Sequence, residues 1–283
     1  MAEPSKAVLI TGCSSGIGRA SALRLARSGW SVYATARRLE SIEDLAQAGC
    51  HTLSLDVTDE QSMQAAVTVI EQAEGAVGVL VNNAGYSQSG ALETVPLEAV
   101  RRQFETNVFG LVRLTQLVLP AMRAQRWGKI VNVGSVGGRL TLPGGGAYHA
   151  SKYALEAISD ALRFEVAGFG INVVLLEPGL ITTEFGTAAT ASMADLESSS
   201  EDPYAHFNAT VGAVTQGAYD GPMRMLGAGP ERVAKVIERA IKRRRPPARI
   251  SITPSAKLPI LTRRLISDRA WDAAMRRQFP QPE

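Results

Sequence analysis

Six short apolar runs, each of strand length, recur along the chain, and helical spacing fills most of the gaps between them. They are "KAVLITG", "WSVYATA", "HTLSLDV", "VGVLVNNAG", "GKIVNVGS" and "INVVLLEPG". The intervening helical stretches are "GIGRASALRLARSG", "LESIEDLAQAG", a segment opened by the capping candidates Thr58 and Asp59, a long region from Leu97 to Gln125, and "AYHASKYALEAISDALRFEVAG". Parallel strands need long crossovers, usually helices. The alternation therefore predicts an α/β fold, a doubly wound parallel sheet of about seven strands with helices on both faces. No linker composition and no internal repeat divides it, so 1–283 reads as a single domain.

Residues 184–228 break the rhythm. "TAATASMADLESSSEDP", with Ser198, Ser199 and Ser200 in a run, is small, polar and without strong periodicity. A long irregular stretch after the sixth strand predicts a lid at the carboxyl edge of the sheet, where ligands bind in such folds. Its "PYAHF" and "MRML" supply side chains for an apolar pocket. Beyond it the chain turns basic: from Arg224 onward there are 15 Lys and Arg against 5 Asp and Glu. The extension at about 254–283 reads first as a solvated edge, with peripheral membrane contact around "KLPILTRRL" as the lesser reading. Nucleic acid is not expected, since no aromatic residues interleave the charges.

"MAEPSK" lacks a leader pattern and no apolar run approaches a membrane span, which predicts a cytoplasmic protein. Cys13 and Cys50 stand far apart, and His51, His149 and His206 show no ligand spacing, so no metal is expected. Trp30 and Phe109 read as core.

The turn "TGCSSGIG" carries the first chemistry. Gly12 permits a sharp turn, Gly16 lets the backbone approach a pyrophosphate, and Gly18 lets helix and strand pack closely. The free amides of Gly16, Ile17 and Gly18 then face an anion, with the hydroxyls of Ser14 and Ser15 beside them. The second strand ends in "ATARR", where an NAD enzyme would carry an acid for the ribose hydroxyls. Arg37 and Arg38 instead suit a 2′-phosphate, which favours NADP(H) over NAD(H). Two solvated arginines are the other reading.

With its Gly-x-x-x-Gly-x-Gly spacing, this turn resembles that of the short-chain dehydrogenase/reductase family, and further signatures follow in order. "NNAG" ends the fourth strand, Asn107 lies in the long helix, Ser135 follows the fifth strand, Tyr148 and Lys152 share the next helix, and "PGLITT" ends the sixth strand. "VLITGCSSGIG" with "ATARR" is most similar to the NADP-preferring branch of hydroxysteroid and retinol dehydrogenases. The resemblance covers about residues 6 to 252 and implies a Rossmann-type fold, a carbonyl or alcohol substrate and assembly as a homodimer or homotetramer. It places Asp56 at the adenine amino group with Val57 beside the ring, although Asp56 reads equally as a turn or capping residue. Asn83, with Ala84 and Gly85, would brace the sheet or touch the adenosine ribose. Pro178, Gly179 and Ile181 would lie under the nicotinamide, and Thr183 near its carboxamide or the pyrophosphate.

Tyr148 and Lys152, one helical turn apart, lie on one face. Reduction of a ketone needs a hydride on carbon and a proton on oxygen. A phenol with pKa near 10 is a poor base at neutral pH; the nearby Lys152 ammonium stabilises the phenolate, and an oxidised nicotinamide adds a second positive charge. Lowering the pKa by about 3 units requires roughly 4 kcal/mol, which two cations in a desolvated cleft can supply. Ser135 would donate to the substrate oxygen. By resemblance, Asn107 would hold a water that relays protons to Lys152. His149, next along the helix, reads as structural. The expected activity is an NADP(H)-dependent carbonyl reductase or the reverse dehydrogenase on an apolar steroid-, retinoid- or polycyclic-like substrate. A 3-oxoacyl-thioester reductase is the enzymatic alternative, and a non-catalytic NADP(H)-binding sensor or scaffold is the alternative of another class.

Overall fold

Strand β1 (Val8–Ile10) is three residues long and wholly buried, because it pairs on both sides within the sheet. Its side chains alternate: Val8 and Ile10 join one core cluster and Leu9 the other. The computed structural model describes residues 3–193 and 202–282. The serine run Ser198–Ser200 lies outside the described residues.

Helix α1 (Gly16–Arg27) leads to β2 (Val32–Ala36). The expected second helix is a single 3₁₀ turn, Leu39–Ile42, followed by the one-turn α2 (Asp44–Gln47). β3 (His51–Ser54), α3 (Glu60–Glu74) and β4 (Val79–Asn82) come next. Asp59 caps α3, accepting from the amides of Gln61 and Ser62. The long helical region is α4 (Leu97–Phe104), a π-helical turn over Glu105–Phe109, and α5 (Gly110–Ala124). β5 (Gly128–Val133) runs through a 3₁₀ turn at Val136–Gly138 toward α6 (Gly146–Glu165) and β6 (Ile171–Glu177).

The region expected to be irregular is largely helical where described: α7 (Phe185–Ala191), α8 (Ala205–Asp220) and a 3₁₀ turn at Pro222–Leu226. Ala, Thr and Gly dominate it, so it carries helix-compatible residues with few large apolar side chains to mark a period. α9 (Pro230–Lys242), β7 (Arg249–Ser251), α10 (Pro254–Leu265) and α11 (Asp268–Met275) complete the chain.

The seven strands pair in the order β3-β2-β1-β4-β5-β6-β7, every neighbour parallel. All seven therefore end at one edge, and the order reverses between β1 and β4, where such sheets open a crevice. α1 and α9 cover one face through Leu25, Val233 and Ile237, and α3 and α5 cover the other through Met63, Val67, Leu114 and Val118. Glu238 of α9 accepts from Arg24 of α1, from Ser28 at its C-cap and from Lys242, at 2.6, 2.8 and 2.6 Å. These bonds, Lys242 first, hold its carboxyl down at about 2.

Candidate active site

Because the strands are parallel, the candidate residues that follow them converge on one edge. The glycine turn follows β1, Arg37 and Arg38 follow β2, Asp56 follows β3, Asn83 follows β4, Ser135 follows β5 and Pro178 follows β6.

Backbone packing shapes the glycine turn. A Cβ on Gly18 would sit 2.2 Å from the Gly12 carbonyl oxygen, and one on Gly12 would sit 3.0 Å from the Ala84 Cα. Gly12 and Gly16 both hold positive φ, 72° and 54°. The Asn83 amide donates to the carbonyls of Thr11 and Gly12 at 2.9 and 3.1 Å, so of its two readings the geometry gives bracing. Thr11 Oγ1 accepts from the amides of Asn83 and Ala84. Ser15 occupies the N-cap of α1 in extended backbone yet makes no side-chain cap bond, and no acid stands in the first turn. The amides of Gly16, Ile17 and Gly18 thus open a positive helix terminus onto the cleft. Thr183 faces them from across it, its methyl 3.2 Å from where a Gly16 Cβ would lie.

Arg37 and Arg38 are exposed at the end of β2, and neither has an ion-pair partner among the described residues. Ser14 is exposed beside them. An uncapped helix terminus, a cradle that any Cβ would fill and two unpaired guanidinium groups together fit a dinucleotide carrying an additional phosphate. Asp56 accepts from the Thr58 amide and hydroxyl at 2.9 and 2.8 Å, the turn role foreseen as its alternative. Val57 packs into the core, and Gly110 of α5 lies so close that a Cβ there would be 2.2 Å from its carbonyl oxygen. Ile181 is likewise core, bridged to Ala228.

Around Asn107 the helix widens by one residue. The π turn directs Asn107 inward, where it is 2% exposed, and leaves Phe109 54% exposed, so Phe109 is not the core residue expected. The Asn107 amide donates to the Tyr86 carbonyl and to Ser151 Oγ and accepts from the Tyr86 amide. It clamps the segment after β4 to α6. The Ser135 turn lies directly on α6 because Gly137 and Gly138 carry no side chain: a Cβ on Gly138 would be 2.8 Å from the Lys152 carbonyl oxygen. His149 fixes the same turn through Nδ1–H to the Gly137 carbonyl, 2.9 Å, while Nε2 accepts from the Leu142 amide, 3.2 Å. Burial pushes its pKa down, which keeps that neutral form. His149 is structural, as expected.

Tyr148 is half-buried and Lys152 buried. Burial holds the Tyr148 phenol above its ordinary pKa, with the Ser135 hydroxyl pulling the other way. In the chain alone, burial thus acts against the lowering expected of Lys152 together with an oxidised nicotinamide. Lys152 Nζ donates to the Val133 carbonyl at 3.0 Å and lies 5.8 Å from the Tyr148 ring centre. Burial pushes its ammonium down to about 8.

Several neighbours carry no sequence signal. Thr253 and Ser255 accept from the amides of Gly179 and Leu180, and the Pro178 carbonyl accepts from Val136. Further along α6, Glu156 and Asp160 bond Arg249 at 2.8 and 2.5 Å, and Arg139 bonds Glu177 at 3.0 Å. This charge cluster ties the Ser135 turn, α6, β6 and β7 together. Glu156 Oε1 is buried without a partner among the described residues, and burial and Glu177 push its pKa up. Above Tyr148, Phe185 of α7 stands 5.5 Å from its ring, and Tyr219 of α8 packs on Gly186. The segment after β4 holds these helices by the Ser89 amide on Ser192 and the Ala91 amide on Asn208. "MRML" does not line a pocket: Met225 is 89% exposed, because its 3₁₀ turn lies at the surface.

A family model described as short chain dehydrogenase matches residues 6–194. The "NADPH-dependent 3-dehydrocapnine reductase" of Ornithobacterium rhinotracheale is 35% identical, over 93% of this chain and 94% of its own. "Retinol dehydrogenase 8" of Bos taurus is 36% identical over 88% and 82%. The crystal structure of a short-chain dehydrogenase from Streptomyces avermitilis superposes with a TM-score of 0.78 at 36% identity, covering 97% and 98%.

Proposed function

Because the chain belongs to the short-chain dehydrogenase/reductase family and is an oxidoreductase, we propose that it reduces an apolar ketone or aldehyde with NADPH, Tyr148 supplying the proton. The observation that carries this reading is the meeting of Ser135, Tyr148 and Lys152 at the carboxyl edge of the sheet, opposite the open glycine turn.

The amides of Gly16, Ile17 and Gly18 and the hydroxyls of Ser14 and Ser15 would hold the pyrophosphate, and Arg37 and Arg38 the 2′-phosphate. Bound there, the reduced nicotinamide supplies the hydride that the carbonyl carbon accepts. Pro178 and Gly179, fixed by Thr253 and Ser255, would shape the floor beneath it, and Thr183 would reach it from the facing wall. Ser135 donates its hydroxyl hydrogen bond to the substrate oxygen and orients it. Tyr148 Oη gives that oxygen its proton as charge develops there. A phenol held above its ordinary pKa stays protonated at neutral pH, which suits the donor role. Lys152, with an ammonium at about 8, is poised to return a proton to Tyr148. Asn107 keeps α6 in register with the opposite wall.

A relative named for NADPH and the two unpaired arginines support the choice of NADPH. A relative named for retinol, with Phe185 and Tyr219 around Tyr148, supports an apolar substrate. α7 and α8 serve as its lid. Assembly as a dimer or tetramer through α5 and α6 accords with the exposed Phe109 in the π turn before α5 and the exposed Tyr153 and Phe164 of α6.

The test follows NADPH oxidation across retinal, steroid ketones and 3-oxoacyl thioesters, with NADH beside it. Carbonyl-dependent oxidation of NADPH is expected. Arg37→Ala with Arg38→Ala should raise the NADPH KM at least about tenfold while leaving that for NADH nearly unchanged. A preference for NADH in the unaltered protein would overturn the cofactor assignment.

A further inference from the structure

α10 carries an outward face that the fold leaves uncovered. Ser255, Ala256 and Ile260 turn inward, while Lys257, Leu258, Leu261, Arg264 and Leu265 recur at the one-face spacing of a helix. Leu258 and Leu261 are each 55% exposed and Leu265 is 77% exposed. The 3₁₀ turn Pro222–Leu226 packs beside α10 and extends the surface with Met223 and Met225, also exposed, and with Arg224. Lys257, Arg264 and Arg224 have no ion-pair partner among the described residues.

Beside this face, between α10 and the β7 edge, lies a groove of about 280 Å³. Arg139, Arg249, Lys257 and Arg264 line it over Ile260 and Leu261. Arg139 and Arg249 are already paired with Glu177, Glu156 and Asp160, and Glu177 also bonds Ser251, so Lys257 and Arg264 are the lining cations with no ion-pair partner among the described residues. The surface therefore offers leucines and methionines in its middle and cationic groups at its rim. That is the pattern of a helix that lies in a membrane interface. Among the described residues no helix is long and apolar enough to cross a membrane.

We propose that α10 and the Pro222–Leu226 turn dock the protein on an anionic phospholipid surface, with Leu258, Leu261, Leu265 and Met225 entering the acyl boundary. Lys257 and Arg264 meet lipid phosphates at the mouth of the groove. Charge complementarity selects this occupant: a second copy would bring the same cationic groups against themselves. Docking sets the outer end of α8 against the layer in which an apolar substrate dissolves. This consequence rests on the function proposed above, whereas the docking does not.

The test is co-sedimentation of the full chain with vesicles of phosphatidylcholine mixed with phosphatidylglycerol, and with phosphatidylcholine alone, at low and high salt. The proposal predicts binding to the anionic vesicles, weakened by salt, with little binding to phosphatidylcholine alone. Lys257→Glu with Arg264→Glu, and separately Leu258→Ser, Leu261→Ser and Leu265→Ser together, should each weaken it at least about tenfold. Both sets change exposed positions outside the catalytic and cofactor groups, and unchanged melting and NADPH binding would show that they fold. Absence of binding at low salt, equal binding to both vesicle types, or indifference to both variants would overturn the proposal. So would a sedimentation-velocity shift from dimer to monomer in the serine variant, which would make this face the seat of a second copy.

Discussion

The two walls of the cleft are held by different forces. On the β1–α1 side the glycine turn is fixed by backbone contact, by the Thr11 hydroxyl and by the Asn83 amide side chain, with no charged group holding it among the described residues. On the β5–β7 side the Ser135 turn, α6 and β6 are joined by Arg139, Glu156, Glu177 and Arg249, a cluster with two acids and two guanidinium groups sharing atoms. The first wall is limited by volume and the second by charge. A dinucleotide needs a close, unchanging backbone approach, whereas the wall proposed for proton transfer needs its groups placed while their protonation changes. The two walls should therefore fail differently.

Gly18→Ala should show the largest effect. Its methyl would overlap the Gly12 carbonyl oxygen, so the turn must open. A loss of about 3 kcal/mol of stability and at least about a hundredfold in NADPH affinity is expected, alike at pH 6 and pH 8. Urea unfolding and fluorescence titration measure both, and near-native affinity would show that the turn is not limited by volume.

Arg249→Met should cost about 2 kcal/mol or more, with a dependence on pH. Glu156 already has a raised pKa, and losing Arg249 raises it further. A carboxyl whose folded-state pKa is raised contributes stability below its unfolded value and loses it as pH rises through the folded one. Asp160, whose pKa Arg249 lowers, loses stabilisation above its ordinary range, which has the same sign. The deficit should thus be greater at pH 8 than at pH 5. Equal deficits in urea melts at the two values would deny that charge holds this wall.

Asn83→Ala should cost the least, about 1 kcal/mol, through the loss of two bonds to backbone carbonyls. Its effect should not change with pH. A pH-dependent loss would blur the distinction between the walls.

Much of the candidate site's geometry was legible because its determinants are short. Apolar runs give strands, parallel pairing sends their ends to one edge, and one helical turn joins Tyr148 to Lys152. The glycines are legible since only they allow the approach at Gly12 and Gly18. Other features had no local mark. The π turn at Asn107 adds a residue without changing residue type, so Phe109 looked internal. α7 and α8 pack through small side chains, which give hydrophobic period little to show. Arg139, Glu156, Glu177 and Arg249 meet only when α6, β6 and β7 come together, and each alone looks like a surface charge. The upward push on the phenol had no local mark either, because burial sets it and Lys152 bonds the Val133 carbonyl.

The central claim is that Tyr148 gives its proton to the substrate oxygen, and Tyr148→Phe tests it with the ring kept in place. Single-turnover reduction under saturating NADPH should slow at least about a thousandfold while the NADPH dissociation constant stays within a few-fold of its original value. An unchanged rate of reduction with intact cofactor binding would contradict the claim and leave another group as the proton donor.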